Sequence, residues 1–262
     1  MNSQYHSSNG KQKNGQTDPA VETFSACGSH SSLPHQDSSR RRFLQMTLGG
    51  TAVGLAAAAG MELMTPPRAL SQSALSPDAA LQELMDGNKR FTTQRLTACE
   101  HDLAILKQNT IEKQEPFAAV LSCADSRVPI ELVFDQSIGH IFVNRIAGNI
   151  ATSEMIASLE YGAVVLGTKV ILVLGHGGCG AVKATIQAKE VPGQISALYP
   201  HIQPAVDQAG PNAEAATKAN AKIQAGLLRQ SSTVISGLVK EKKLKVVAGY
   251  YDISTGAVSI LE

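Results

Sequence analysis

Val170-Ile-Leu-Val-Leu174-Gly-His-Gly-Gly-Cys-Gly180 decides the fold. Five consecutive Val, Ile and Leu residues stop at Gly175, which reads as a strand buried on both faces. A helical pattern, Gly180 to Lys189, follows at once. Working outward, Phe117 to Leu121 is a short apolar run before Ser122-Cys123, and Ile141-Phe142-Val143 is another. Helical patterns lie between them at Glu154 to Leu166 and from about Asn212 to Lys243. Val246-Val247 with Tyr250-Tyr251 leads through a turn at Ser254-Thr255-Gly256 to a last strand near Val258 to Leu261, which reads as a hairpin. Strands alternating with helices predict an α/β domain, with a mostly parallel central β-sheet flanked by helices and an antiparallel C-terminal edge hairpin. Gly193 and the stretch Pro200 to Pro211 read as loops around a helix-poor segment. The domain is expected to open at Ser76-Pro77-Asp78, where Ser76 suits an N-cap and Pro77 the first helical position. Leu81, Leu84 and Met85 then recur at helical spacing ahead of Gly87-Asn-Lys-Arg-Phe91.

The strand ends carry the chemistry. In a parallel sheet, ligands gather outside the carboxyl ends of the strands. Cys123 follows the first strand, in Cys123-Ala-Asp-Ser-Arg127, and His176 and Cys179 follow the third. The topology therefore predicts that two thiols and one imidazole meet at one sheet edge. Zinc favours Cys and His, and three protein ligands leave a fourth position for water, as a catalytic site requires. Gly177, Gly178 and Gly180 give the His-x-x-Cys turn its freedom. Cys179 is expected at the N-terminus of the next helix, where the dipole favours thiolate. A lone His-x-x-Cys is often loop furniture, and it gains weight only from Cys-x-Asp-x-Arg at a second strand end. Asp125 and Arg127 read either as a surface ion pair or as a carboxylate near the metal, oriented by a guanidinium. Such a carboxylate either orients the zinc-bound hydroxide or takes the fourth position itself.

Bulk properties bound the rest. The 262 residues are 43% hydrophobic and 17% charged, with no Trp. Six of the 23 Lys and Arg and four of the 22 Asp and Glu precede residue 72, which leaves 17 against 18 in the body. A near-neutral body carries no footprint for nucleic acid or an anionic membrane. Of the four cysteines, Cys27 falls in the leader, two fall in the metal motifs, and Cys99 is left as a free thiol. Residues 1 to 38 are rich in Ser, Asn, Gln, His and Gly, a composition expected to be disordered. Ser39-Arg-Arg-Arg-Phe-Leu-Gln45 then resembles the twin-arginine (Tat) export signal, with Gln45 in place of Lys. Met46 to Met61 is uncharged but short and weakly hydrophobic for a span. The expected division is residues 1–75 as a disordered region plus signal peptide, cleaved near 71–74, and residues 76–262 as the folded domain. An uncleaved N-terminal tether is the alternative. Export by the Tat machinery implies the periplasm, or a thylakoid lumen in a photosynthetic source.

Beyond its metal motifs, the chain resembles a β-class carbonic anhydrase. The likeness is carried by Cys123-Ala-Asp-Ser-Arg-Val-Pro129, Arg145-Ile-Ala-Gly-Asn149, Glu160-Tyr-Gly-Ala163 and Gly175-His-Gly-Gly-Cys-Gly180. Gly87 to Phe91 and Gly249-Tyr-Tyr-Asp-Ile-Ser-Thr-Gly256 support it, and it runs from about residue 77 to the end. Ile146 and Gly162 depart from the commonest family wording, which has Asn and Ala there. The resemblance implies one zinc per subunit on Cys123, His176 and Cys179, an Asp125–Arg127 catalytic dyad, and a homodimer or tetramer. It implies a lyase that hydrates CO2 reversibly to bicarbonate and a proton through zinc-bound hydroxide. One subgroup of the family is regulated by bicarbonate at a pocket that includes Trp, and this chain lacks Trp. His140, His201, Tyr161 and Tyr199 are candidate proton shuttles. The rival readings are a CS2 or COS hydrolase on the same scaffold, a non-catalytic zinc-stabilised binding module, and a thiol redox protein. The last has no Cys-x-x-Cys motif to support it.

Overall fold

The computed structural model describes residues 73–98, 114–188 and 190–262. The first helix, α1 (Pro77–Thr92), starts as its sequence dictates: Ser76 Oγ accepts from Ala79 N and Pro77 occupies the first turn. Strands β1 (Ala118–Ser122), β2 (Ile141–Arg145), β3 (Val170–His176), β4 (Lys245–Tyr251) and β5 (Val258–Leu261) form one sheet in the order β2-β1-β3-β4-β5. The first four pair in parallel, and β5 runs antiparallel to β4. This is the α/β architecture expected, edge hairpin included.

Every residue of β1 and β3 is buried, because helices cover both faces. On one face, Val120, Leu172 and Leu174 pack with Ala80 and Leu84 of α1 and with Ile130 and Val133 of the short α2 (Ile130–Val133). On the other, Leu121, Ile171 and Val173 meet α3 (Ser153–Val164), α6 (Ala213–Ser231) and α7 (Thr233–Lys240) through Leu159, Ala221, Leu228 and Ile235. The chain leaves β1 towards β2 on one side and returns to β3 on the other. The strand order therefore reverses between β1 and β3, and a crevice opens there at their carboxyl ends.

Three stretches differ from their sequence reading. The long pattern from Asn212 to Lys243 is two helices. Ser232 breaks it with extended backbone (φ −102°, ψ 114°), and its hydroxyl caps α7 by accepting from Ile235 N while donating to Glu160 Oε1. The segment read as helix-poor contains a helix, α5 (Tyr199–Ala209). Pro200 sits in its first turn, where the missing N–H goes unused. Pro204 lies inside it and forfeits one bond, and burial of Ile202 and Ala205 holds the turn together. His176 is the last residue of β3 rather than the loop after it.

Gly87-Asn-Lys-Arg-Phe91 continues α1, and its first two residues explain the choice. A Cβ on Gly87 would stand 1.8 Å from the Phe134 carbonyl oxygen, so the helix rests directly on backbone. Asn88 is 4% exposed and fully bonded: Nδ2 donates to Val133 O and Gly256 O, and Oδ1 accepts from Val258 N. Gly87→Ala sets two effects against each other. Helix propensity favours Ala by about 1 kcal/mol, whereas overpacking costs about 1–3 kcal/mol or more. A contact with rigid backbone at this distance lets sterics win. The variant is expected to unfold at lower urea concentration than the parent, and an unchanged or raised midpoint would refute this packing. Gly162 is similarly placed, with its absent Cβ 3.0 Å from Phe142 Cδ1.

Candidate metal centre

Cys123 follows β1 directly, His176 ends β3 and Cys179 is the N-cap of α4 (Gly180–Gln187). The register aligns Ser122 with Leu174, which brings the residues beyond them to one crevice. All three are buried, and their ligand atoms lie within 4.8 Å of one another. The expected convergence on one sheet edge is what the structure shows.

Local backbone builds the cluster. Gly178 takes φ +68°, and Gly177 N donates to Tyr251 O, which anchors the turn to β4. His176 Nδ1 lies 3.0 Å from Gly177 O, so the proton belongs on Nδ1 and the Nε2 lone pair is free. Nε2 is buried and has no hydrogen-bond partner among the described residues. An orphaned buried imidazole nitrogen beside two sulfurs is costly unless something binds it. Two thiols and an imidazole are the donors that zinc prefers. The three residues therefore fit one zinc ion.

The two thiols share electrostatics as well as space. The S–H of Cys179 pulls the Cys123 thiol down, aided by His176 and by the backbone N–H groups of Gly148 and Asp125. Cys179 is pushed up, first by the Cys123 thiolate and then by burial. Cys123 is thus the more readily ionised of the two, and a divalent cation held there would favour the thiolate form of both. Both cysteines are free of disulfide. Cys27 and Cys99 lie outside the described residues.

Asp125 and Arg127 do more than sit side by side. Arg127 Nε donates to Asp125 Oδ1 at 2.9 Å, Nη2 donates to Oδ2 at 2.7 Å, and the Arg127 backbone N–H adds a third bond at 2.9 Å. This fork holds the Asp125 carboxyl well below the usual carboxylate range despite partial burial. Oδ2 stands 3.9 Å from the orphaned Nε2 of His176. The fork thus fixes the carboxylate with Oδ2 turned towards the cluster.

Two contributors were not assigned by sequence reasoning. Arg145, at the end of β2, donates to Cys123 O at 3.0 Å and also to Asp125 O, so it fixes the loop that bears both residues. The signal was available: β2 parallels β1, and Arg145 is in register with Ser122. Gly148 N donates to Cys123 Sγ at 3.4 Å. Of the shuttle candidates, His140 precedes β2 at its amino end, at the opposite end of the strand from the cluster. Tyr161 packs on Phe142, the second residue of that strand.

Known proteins share this arrangement. The sequence profile of the carbonic anhydrase family matches residues 118–258. A carbonic anhydrase of Mycolicibacterium smegmatis is 38% identical over 135 residues, which cover 50% of this chain and 65% of that protein. Carbonic anhydrase 2 of Mycobacterium tuberculosis is 39% identical over 117 residues, 43% of this chain and 54% of its own. The chain thus spans less than two thirds of these relatives. The solved β-carbonic anhydrase CcaA superposes with a TM-score of 0.56 at 25% identity, covering 70% of this chain and 87% of that one. A sheet that places Cys, His and Cys at the switch point defines a zinc protein of α/β build, and the chain belongs to the carbonic anhydrase family. Within it, the fold and ligand set are those of the β class.

Proposed function

We propose that the protein catalyses the reversible hydration of CO2 to bicarbonate and a proton. The observation that carries this is the Asp125 carboxylate, clamped by Arg127 and held 3.9 Å from His176 Nε2. Cys123, His176 and Cys179 would hold the zinc, which supplies the Lewis acidity that makes a water nucleophilic near neutral pH. Asp125 accepts a hydrogen bond from the nucleophile's O–H and so directs its remaining lone pair at the carbon. Arg127 keeps Asp125 charged and in one orientation, and Arg145 steadies the peptide beneath it. Both Asp125 oxygens already accept from Arg127, which supports the reading in which Asp125 orients the nucleophile rather than taking the fourth position itself. Ile150 and Val182 pack around the two thiols and keep bulk water from them.

A homodimer or larger assembly belongs to this reading. What supports it is that β2 is an edge strand among the described residues, with the exposed Tyr161 packed on its Phe142. Export by the Tat machinery to the periplasm, or to a thylakoid lumen, rests on Ser39 to Gln45, and the leader lies outside the described residues.

The test is a paired assay of the zinc-loaded protein. CO2 hydration followed by an indicator dye is expected to proceed, with no sulfide released from CS2. Sulfide release without CO2 hydration would make it a CS2 hydrolase instead. Turnover of neither, with zinc bound, would make it a binding module.

A further inference from the structure

The helix behind the metal cluster carries two amides where an apolar pair would pack. Asn220 and Gln224 lie one turn apart on α6, 0% and 1% exposed, on a helix that also buries Ala216, Thr217, Ala219, Ala221, Ala225 and Leu228. Burying two amides is costly unless every polar atom finds a partner. Here all of the contacts converge on one short segment and its surroundings. Asn220 Nδ2 donates to Gly148 O at 2.8 Å, and Gln224 Oε1 accepts from Ala151 N at 2.9 Å. Gln224 Nε2 donates to Asn220 Oδ1 at 3.1 Å and to His201 O at 2.9 Å, which braces the pair against itself and against α5.

The segment they grip needs gripping. Gly148 (φ +77°) and Asn149 (φ +44°) are successive left-handed residues, and a non-glycine residue there costs about 1 kcal/mol or more. Such backbone persists only where its surroundings over-determine it. Gly148 also has no room to shift towards α5, since a Cβ would stand 2.7 Å from Ile202 Cδ1. The N–H that this conformation aims is the one donated to Cys123 Sγ.

We infer that Asn220 is a positioning residue for the metal centre: through the Gly148 carbonyl it fixes the N–H that supports Cys123 Sγ, with Gln224 as its brace. The inference rests on the zinc reading of Cys123, His176 and Cys179. A donor one bond removed from a ligand tunes its basicity and orientation, and loss of such partners typically weakens metal binding 10–100-fold.

The experiment uses the full chain, stripped of metal and titrated with zinc against a competing chelator, and then loaded with cobalt to record the sulfur-to-cobalt charge-transfer band. Asn220→Ala is expected to weaken zinc binding about 10–100-fold and to shift the band. Asn220→Leu should do the same, because its apolar side chain cannot donate to Gly148 O. It is close to isosteric, and it carries the comparison if the alanine variant does not fold. Leu228→Ala is the control: it empties a buried site on the same helix, lowers thermal stability, and should leave affinity and band unchanged. Wild-type affinity and an unshifted band in the Asn220 variants would overturn the relay. So would an affinity loss in Leu228→Ala that tracks its lost stability. A parent protein that binds no zinc would overturn the metal reading itself and the relay with it.

Discussion

Cys179→Ser is expected to lose its zinc while keeping its fold. The two halves of that expectation come from the same position. Cys179 is the N-cap of α4, and no side-chain cap bond is made there. Serine is a favoured N-cap, so the substitution leaves the helix start intact or improves it. The metal fares differently, because a neutral hydroxyl replaces one of two thiolates. Structural zinc sites with thiolate and imidazole ligands bind with about 10–16 kcal/mol, so losing one of three ligands removes about 3–5 kcal/mol, roughly 10²–10⁴ in affinity. Elemental analysis after dialysis against a weak chelator is the measurement. Stoichiometric zinc in the variant would contradict the ligand assignment. The stabilisation that zinc lends the parent should also vanish, seen as a melting temperature no longer raised by added metal.

Asp125→Ala separates binding from turnover in the opposite way. Zinc should stay, because Arg145 holds Cys123 O and Asp125 O through backbone atoms that alanine preserves. Arg127 loses its partner but is 54% exposed, so the freed guanidinium is solvated at little cost. What is lost is the acceptor that orients the nucleophile, and CO2 hydration should fall by about 10²–10⁴. Full activity with full zinc would remove Asp125 from the mechanism. The parent's pH profile should not show this carboxylate on its acid side. Its pKa is lowered by Arg127, so it stays ionised throughout the range in which the enzyme would be assayed.

Much of this could be read from residue order, and the exceptions share a cause. Val170 to Leu174 is a strand because such a run admits little else, and a parallel sheet then sends Cys123, His176 and Cys179 to one edge without further information. The Asp125–Arg127 pair was legible because two residues of spacing suit the observed fork. Local signals misled where tertiary contacts outweighed them. Two prolines argued against α5, yet Ile202 and Ala205 have a core to enter. Ser232 ends α6 where its hydroxyl donates a hydrogen bond to Glu160, 72 residues earlier. Asn220 looks like one more polar residue on a helix until Gly148 is found against it. None of these partners is near in sequence, so no local pattern announces them.

The clasp at Asn88 has a temporal meaning. Its amide is satisfied by Val133, by Gly256 and by Val258, and Asp78 of the same helix meets Lys245 of β4. The opening helix of the described fold is therefore completed by residues made much later in synthesis. A nascent chain that ends just beyond Cys179 still lacks β4 and β5, so its first helix can meet α2, β1 and β3 but not its partners at Lys245, Gly256 and Val258. All three ligands are thus synthesised before the strand whose Tyr251 O anchors the turn between His176 and Cys179, so the site is complete only once β4 has been made.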